Sequence, residues 1–152
     1  MRSVIAEEGS FTNVFFYGLF ADQAIVVDRG VPYRNPRSAS VEGHALRVGR
    51  NATLVTEIGA VTPGVLLELT DPEIERLYVD LPMYSRQVVP VQLAGGETIP
   101  ALCLICPLEP YEDAGHRRNY LIRLREILDR WRLPVSHIDA EISRPGGGRS
   151  LP

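Results

Sequence analysis

Several things are scarce in this sequence. Two cysteines and three histidines are spread over 152 residues. Cys103 and Cys106 have the C-x-x-C spacing of thiol redox sites and half zinc sites. Their segment, "ALCLICPL", reads as an apolar strand, in which residues three apart point to opposite faces. No second Cys or His pair lies nearby, and His44, His116 and His137 are scattered. Core packing is therefore expected for both thiols, and no metal site is predicted. Positive charge is not in excess either: 16 basic against 19 acidic residues leave a net charge of −3, which argues against a nucleic-acid partner. No uninterrupted apolar run is long enough to span a bilayer, so no membrane partner is expected. "MRSVIAEEGSFTN" turns acidic and polar too soon for a secretory leader, and the expected location is cytoplasmic. "GVPYRNPRS" lacks the glycine spacing and lysine of a phosphate loop, and no internal repeat is visible.

What is present has the make-up of one globular domain, with 45% hydrophobic and 23% charged residues. The domain is assigned to residues 1–143, and "RPGGGRSLP" (144–152) to a flexible tail. The opening strand, "VFFYGLF" from Val14, is followed by an irregular connection marked by Gly30, Pro32, Asn35 and Pro36. Strand-like runs then begin at Ala39, Ala52, Ala60, Tyr84 and Thr98. Many short strands separated by Gly and Pro indicate a barrel or strongly curled sheet. Gly43, Gly64 and Pro90 fall inside these runs, where they suit bulges and corners.

Two helices are predicted. "TDPEIERLY" carries a capping Thr70 or Asp71, Pro72 in the first turn, and acidic Glu73 and Glu75 near the start. "HRRNYLIRLREILDRW" places Leu121, Leu124, Leu128 and Trp131 on one apolar stripe. Its arginines, Arg117, Arg118, Arg123, Arg125 and Arg130, are expected to face solvent, since Glu126 and Asp129 are interleaved with them.

The end of the first strand is the most informative point. A glycine after Tyr17 lets a ligand approach the main chain, which would make "YGLF" an anion cradle; a plain β-turn is the competing reading. The order "FFYGLF", "EGHALRVG", "VTPGVLLELTDPEIERLY", "MYSRQVVPVQL", "IPALCLI" and "YLIRLREILDRWRLP" resembles the gamma-glutamylcyclotransferase-like superfamily, which includes avirulence-induced-gene-like domains. The resemblance covers Val14 to Ile142. It implies an α+β fold: a mixed β-barrel enclosing a cavity, with a short helix and one longer C-terminal helix packed outside. It also implies that Tyr17, Gly18, Leu19, Phe20 and Tyr84 bind an amino-acid-like small molecule, and that the Tyr78–Tyr84 loop faces the Tyr17–Phe20 turn. Active members release 5-oxoproline from a γ-glutamyl amine. The substrate's own α-amine attacks its γ-carbonyl while a glutamate shuttles the proton, with no cofactor.

The chain departs from that pattern in two places. The interval "LYVDLPMYSR" has neither the expected glutamate nor its glycine, and the family position falls on Val79, Asp80 or Leu81. Asp80 is the carboxylate available there, one methylene short. Leu19 stands where a Ser or Thr is expected. Glu57 and Glu68 are alternative carboxylates whose strand register decides their direction. Two functions are carried forward: a cyclotransferase-type enzyme with Asp80 as base, and a non-catalytic binding or regulatory module on the same barrel. The expected assembly is a monomer or homodimer.

Overall fold

The computed structural model describes residues 10–144. Residues 1–9 and 145–152, which hold the opening segment and nearly all of the expected tail, lie outside the described residues.

Five strands form a closed barrel in the order β1-β3-β2-β4-β5. They are β1 (Thr12–Phe16), β2 (Arg37–Val48), β3 (Ala52–Leu69), β4 (Ser85–Leu93) and β5 (Thr98–Ile105). β1 pairs antiparallel with β3 and parallel with β5, which makes the barrel mixed. The helices are α1 (Gln23–Asp28), α2 (Asp71–Leu77), α3 (Ala114–Arg130) and α4 (Ser136–Ser143). The expected α+β barrel with outer helices is present.

The two runs predicted from Ala52 and Ala60 are one 18-residue strand, β3. The interruption between them is an irregularity rather than a turn. Glu42 pairs with Val61 and His44 with Thr56, so Gly43 alone opposes residues 57–60. Gly43 and Gly59 take φ of 75° and 85°, which a residue with a Cβ adopts only under strain. Gly64 serves packing instead: a Cβ there would lie 2.3 Å from the Phe16 carbonyl oxygen and 2.8 Å from the Phe15 ring. A bare backbone is needed where β3 crosses β1.

The connection read as irregular contains a 3-10 turn (Leu19–Ala21) and α1. Ile25, Val26 and Val27 are β-branched and disguise the helix. Asp22 starts it by accepting from the Ala24 amide, and burial of Val26 holds it to the core. α2 has a full capping box between Thr70 and Glu73, as its sequence signals. On α3, Leu121, Leu124 and Leu128 are fully buried, joined by Ile127, while Trp131 is half-buried against the same core. α4 was not foreseen; it buries Ile138 and Glu141.

The solvent-facing reading holds for Arg118, Arg123, Arg125 and Arg130 but fails for Arg117. Arg117 is buried at the end of β2. Its Nε donates to the Val48 carbonyl at 2.6 Å, and its Nη2 donates to the Glu141 main-chain oxygen and to Glu141 Oε2, both at 2.9 Å. Glu141 Oε2 in turn accepts from the Val48 amide at 2.8 Å. β2 pairs with β4 only at Ala39 and Ser40, and at its far end this ion pair takes the place of a neighbouring strand. Burial is tolerated because both charges are paired and hydrogen-bonded.

Both cysteines are free and buried. Burial pushes the Cys103 thiol up to about 12 and raises that of Cys106. Among the described residues there is no cluster of three or more potential metal ligands, and no helix is long and apolar enough to cross a membrane.

Candidate functional site

One end of the barrel gathers the last residues of β1, β2 and β5 and the first of β3 and β4. Thr53 ties this rim together, since its hydroxyl donates to the Cys106 carbonyl at 2.6 Å and accepts the Cys106 amide at 3.0 Å. A cleft of about 630 Å³ opens here. One wall is Phe16 to Phe20 with Ile25 and Arg29 of α1; a second is the β2–β3 turn, Val48 to Ala52. Tyr78, Leu81 and Tyr84 form a third, and Tyr111 to Tyr120 at the start of α3 closes the ring. The Tyr17–Phe20 turn and the Tyr78–Tyr84 loop thus face the same cleft.

The β2–β3 turn is held by close approach. A Cβ on Gly49 would lie 1.8 Å from the Glu109 carbonyl oxygen, and the Arg50 amide donates to that oxygen at 2.9 Å. The aromatic wall is a chain of edge-to-face contacts: Phe16 to Phe20 at 5.9 Å, Phe20 to Tyr78 at 5.3 Å, and Tyr78 to Tyr84 at 5.3 Å.

The hydroxyls divide into two groups. Tyr17 donates to the Leu104 carbonyl at 2.6 Å, and Tyr84 donates to the Ala52 carbonyl, so both are spent on the scaffold. Tyr120 is turned toward the glycine of the opening stretch: a Cβ on Gly18 would lie 2.7 Å from its hydroxyl oxygen. Burial pushes Tyr120 up to about 12, opposed by a hydrogen bond from the Leu19 main chain. Burial also raises Tyr17 and Tyr78 well above the ordinary phenol range. All three hydroxyls therefore stay protonated at neutral pH. "YGLF" is therefore neither a simple β-turn nor an empty cradle; it enters a 3-10 turn whose first amide meets a phenol.

The carboxylates are placed away from this floor. Asp80 is exposed and does not line the cleft, whereas its neighbour Leu81 does. Glu57 pairs with Arg47, and Glu68 lies near Arg37 and accepts from Asn35; neither lines the cleft. The acids that do reach the cleft are Glu112, exposed and paired with Arg50, and Asp113, whose Oδ1 accepts the His116 amide as the N-cap of α3. Sequence reasoning missed Tyr120, Arg29 and Arg117 as cleft residues. For Arg117 a signal existed: it stands four residues before Leu121, on the buried stripe itself.

No family model and no curated protein matches the chain. Solved structures do match, at the level of fold. YkqA from Bacillus subtilis is 20% identical with a TM-score of 0.71, over 96% of this chain and 60% of that one. The chain thus spans about three-fifths of that relative. A gamma-glutamyl cyclotransferase is 15% identical with a TM-score of 0.63, over 94% and 93% of the two chains. The gamma-glutamyl cyclotransferase from yeast described as specific to glutathione is 14% identical with a TM-score of 0.63, over 88% and 98%. The barrel has the gamma-glutamylcyclotransferase-like fold, in agreement with the resemblance carried by the order of the sequence motifs.

Proposed function

We propose that the cleft at the barrel mouth binds a small, carboxylate-bearing, amino-acid-like molecule, and that ordinary cyclotransferase turnover is weak or absent. The observation that carries this reading is the floor at Gly18. There the Leu19 amide and the Tyr120 hydroxyl meet beside an aromatic wall, and no carboxylate of the described residues joins them. The amide is spent on the phenol oxygen, which leaves the phenol proton as the donor offered to an anion in this partly desolvated cleft.

Cyclisation asks for more. A γ-glutamyl α-ammonium must lose a proton before it attacks the γ-carbonyl, and the departing amine must gain one. Tyr17, Tyr78 and Tyr120 are all shifted in the direction that keeps them protonated, so none supplies a phenolate base at neutral pH. Glu112 and Asp113 are engaged with Arg50 and the start of α3. Asp80 points to solvent from outside the lining, and a base that is ~1 Å misplaced already costs on the order of a hundredfold.

The test is to add γ-glutamyl-phenethylamine and 5-oxoproline separately to isotope-labelled protein, following amide shifts while assaying release of 5-oxoproline. Shifts concentrated at Gly18–Phe20, Tyr120 and the Tyr78–Tyr84 loop are expected, with binding unchanged by Asp80→Asn. Turnover at the ~1 to 10³ s⁻¹ of ordinary enzymes would overturn the non-catalytic half. Absence of any shift with either compound would overturn the binding half.

A further inference from the structure

The cleft is larger than one amino acid needs. At about 630 Å³ it falls within the range of sites that take drug-sized ligands. The chain contains no lysine, so every side-chain cation is an arginine. Three arginines reach the cleft. Arg50 pairs with Glu112, and Arg117 with Glu141. Arg29 pairs with no carboxylate among the described residues; its guanidinium lies 5.2 Å from the centre of the Phe20 ring.

Arg29 is placed there by construction. It caps the C-terminus of α1, its amide donating to the Val26 carbonyl at 3.1 Å, in a position that favours positive charge. The next residue is fixed too, since the Gly30 carbonyl accepts from Arg76 Nη1 at 2.7 Å. Val26 and Val31 are buried on either side. The stem is anchored, and Phe20, the first ring beyond the Gly18 floor, steers the guanidinium over the cleft.

Resting on the binding reading above, we propose that Arg29 is a specificity-determining residue that reads a second anionic group on the ligand. The ligand class is a molecule with two carboxylates joined by an apolar or aromatic body. One carboxylate sits at the Gly18–Tyr120 floor, the body lies along Phe20 and Tyr78, and the other meets Arg29. A γ-glutamyl amino acid with an aromatic side chain has this form; a γ-glutamyl amine lacks the second charge. The planar guanidinium fork is suited to a carboxylate in a way that a point charge is not.

The experiment is calorimetric titration of γ-glutamyl-phenylalanine and γ-glutamyl-phenethylamine, which differ by one carboxylate, into the wild type, Arg29→Gln and Arg29→Lys. Since Arg29 is exposed, the wild type should prefer the phenylalanine compound by about fivefold at low salt, the scale of a favourable exposed ion pair. The preference should shrink at high salt. It should vanish in Arg29→Gln, which should weaken the phenylalanine compound more than the amine, and survive in part in Arg29→Lys. Equal affinities in the wild type, or a preference that outlives Arg29→Gln, overturn the role of Arg29 and leave the binding reading intact. Failure of both compounds to bind overturns the binding reading and this one with it.

Discussion

Glu141→Ala is the substitution on which the packing argument bears most directly. The Glu141 carboxylate is 2% exposed and its partner Arg117 is 7% exposed. The substitution removes the acceptor of the Val48 amide and the counter-ion of Arg117, leaving a buried guanidinium with the main-chain oxygens of residues 48 and 141 and the Tyr111 ring, whose centre lies 5.1 Å away, but no carboxylate. The second carboxylate oxygen makes no hydrogen bond among the described residues. It lies 3.9 Å from Arg47 Nη1 and 3.6 Å from Arg144 Nε, so the carboxylate is surrounded by positive charge, and its loss leaves those cations repelling one another. Breaking a buried pair from one side costs about 3–5 kcal/mol. At ~2–4 °C per kcal/mol for a chain of this size, the melting temperature should fall by about 6–20 °C. Arg117→Met should be costly as well, but the double variant Arg117→Met/Glu141→Leu should lose less than the sum of the single variants, with a coupling of ~2 kcal/mol or more. Urea unfolding followed by circular dichroism reads all of this, provided the slope with denaturant is unchanged. A cost below ~1 kcal/mol for Glu141→Ala, or strict additivity in the cycle, would refute the claim that this pair replaces a strand neighbour.

Three further outcomes are expected. His137 has no hydrogen-bond partner on either ring nitrogen among the described residues, and burial pushes it down to about 4, against the opposing charge of Asp139. Its folded value lies below the ordinary ~6.5, so its contribution is complete above that pH and is lost as pH falls from ~6.5 toward 4. Discounted for partial exposure this is ~1–2 kcal/mol, and His137→Gln should flatten that limb of a stability-against-pH curve. Trp131→Ala should cost ~2–4 kcal/mol, somewhat less than a fully buried tryptophan, because Trp131 is partly buried; a shifted urea midpoint measures it. Gly64→Ala should cost ~2–3 kcal/mol, since the new methyl group meets the Phe16 carbonyl and the Phe15 ring. A thermal midpoint equal to that of the wild type would show that β1 can move aside.

Arg29 and Asp80 show how far the candidate site could be read in advance. The Tyr17–Phe20 turn and the Tyr78–Tyr84 loop were legible because each carries aromatic residues at a strand end in a recognisable order of motifs. Arg29 was not, because its helix is six residues long, β-branched, and stabilised by the burial of Val26 rather than by propensity. Asp80 stood out as the acid in its interval, but only the path of that loop puts Leu81 in the cleft and Asp80 in solvent.

The sequence by itself determined whatever near neighbours along the chain control. The Thr70–Glu73 capping box, the leucines of α3 and the bulge at Gly43 each follow from contacts within a few residues or from one allowed backbone region, and the order of motifs carried the barrel. Tertiary structure decided which charges lie inside. Arg117 shares a helical face with Leu121 and Leu124, yet its burial depends on Glu141, 24 residues later on another helix, and on the end of β2. The physical reason is that periodicity is a local property of the backbone, whereas the cost of desolvating a charge is set by partners the chain delivers from elsewhere.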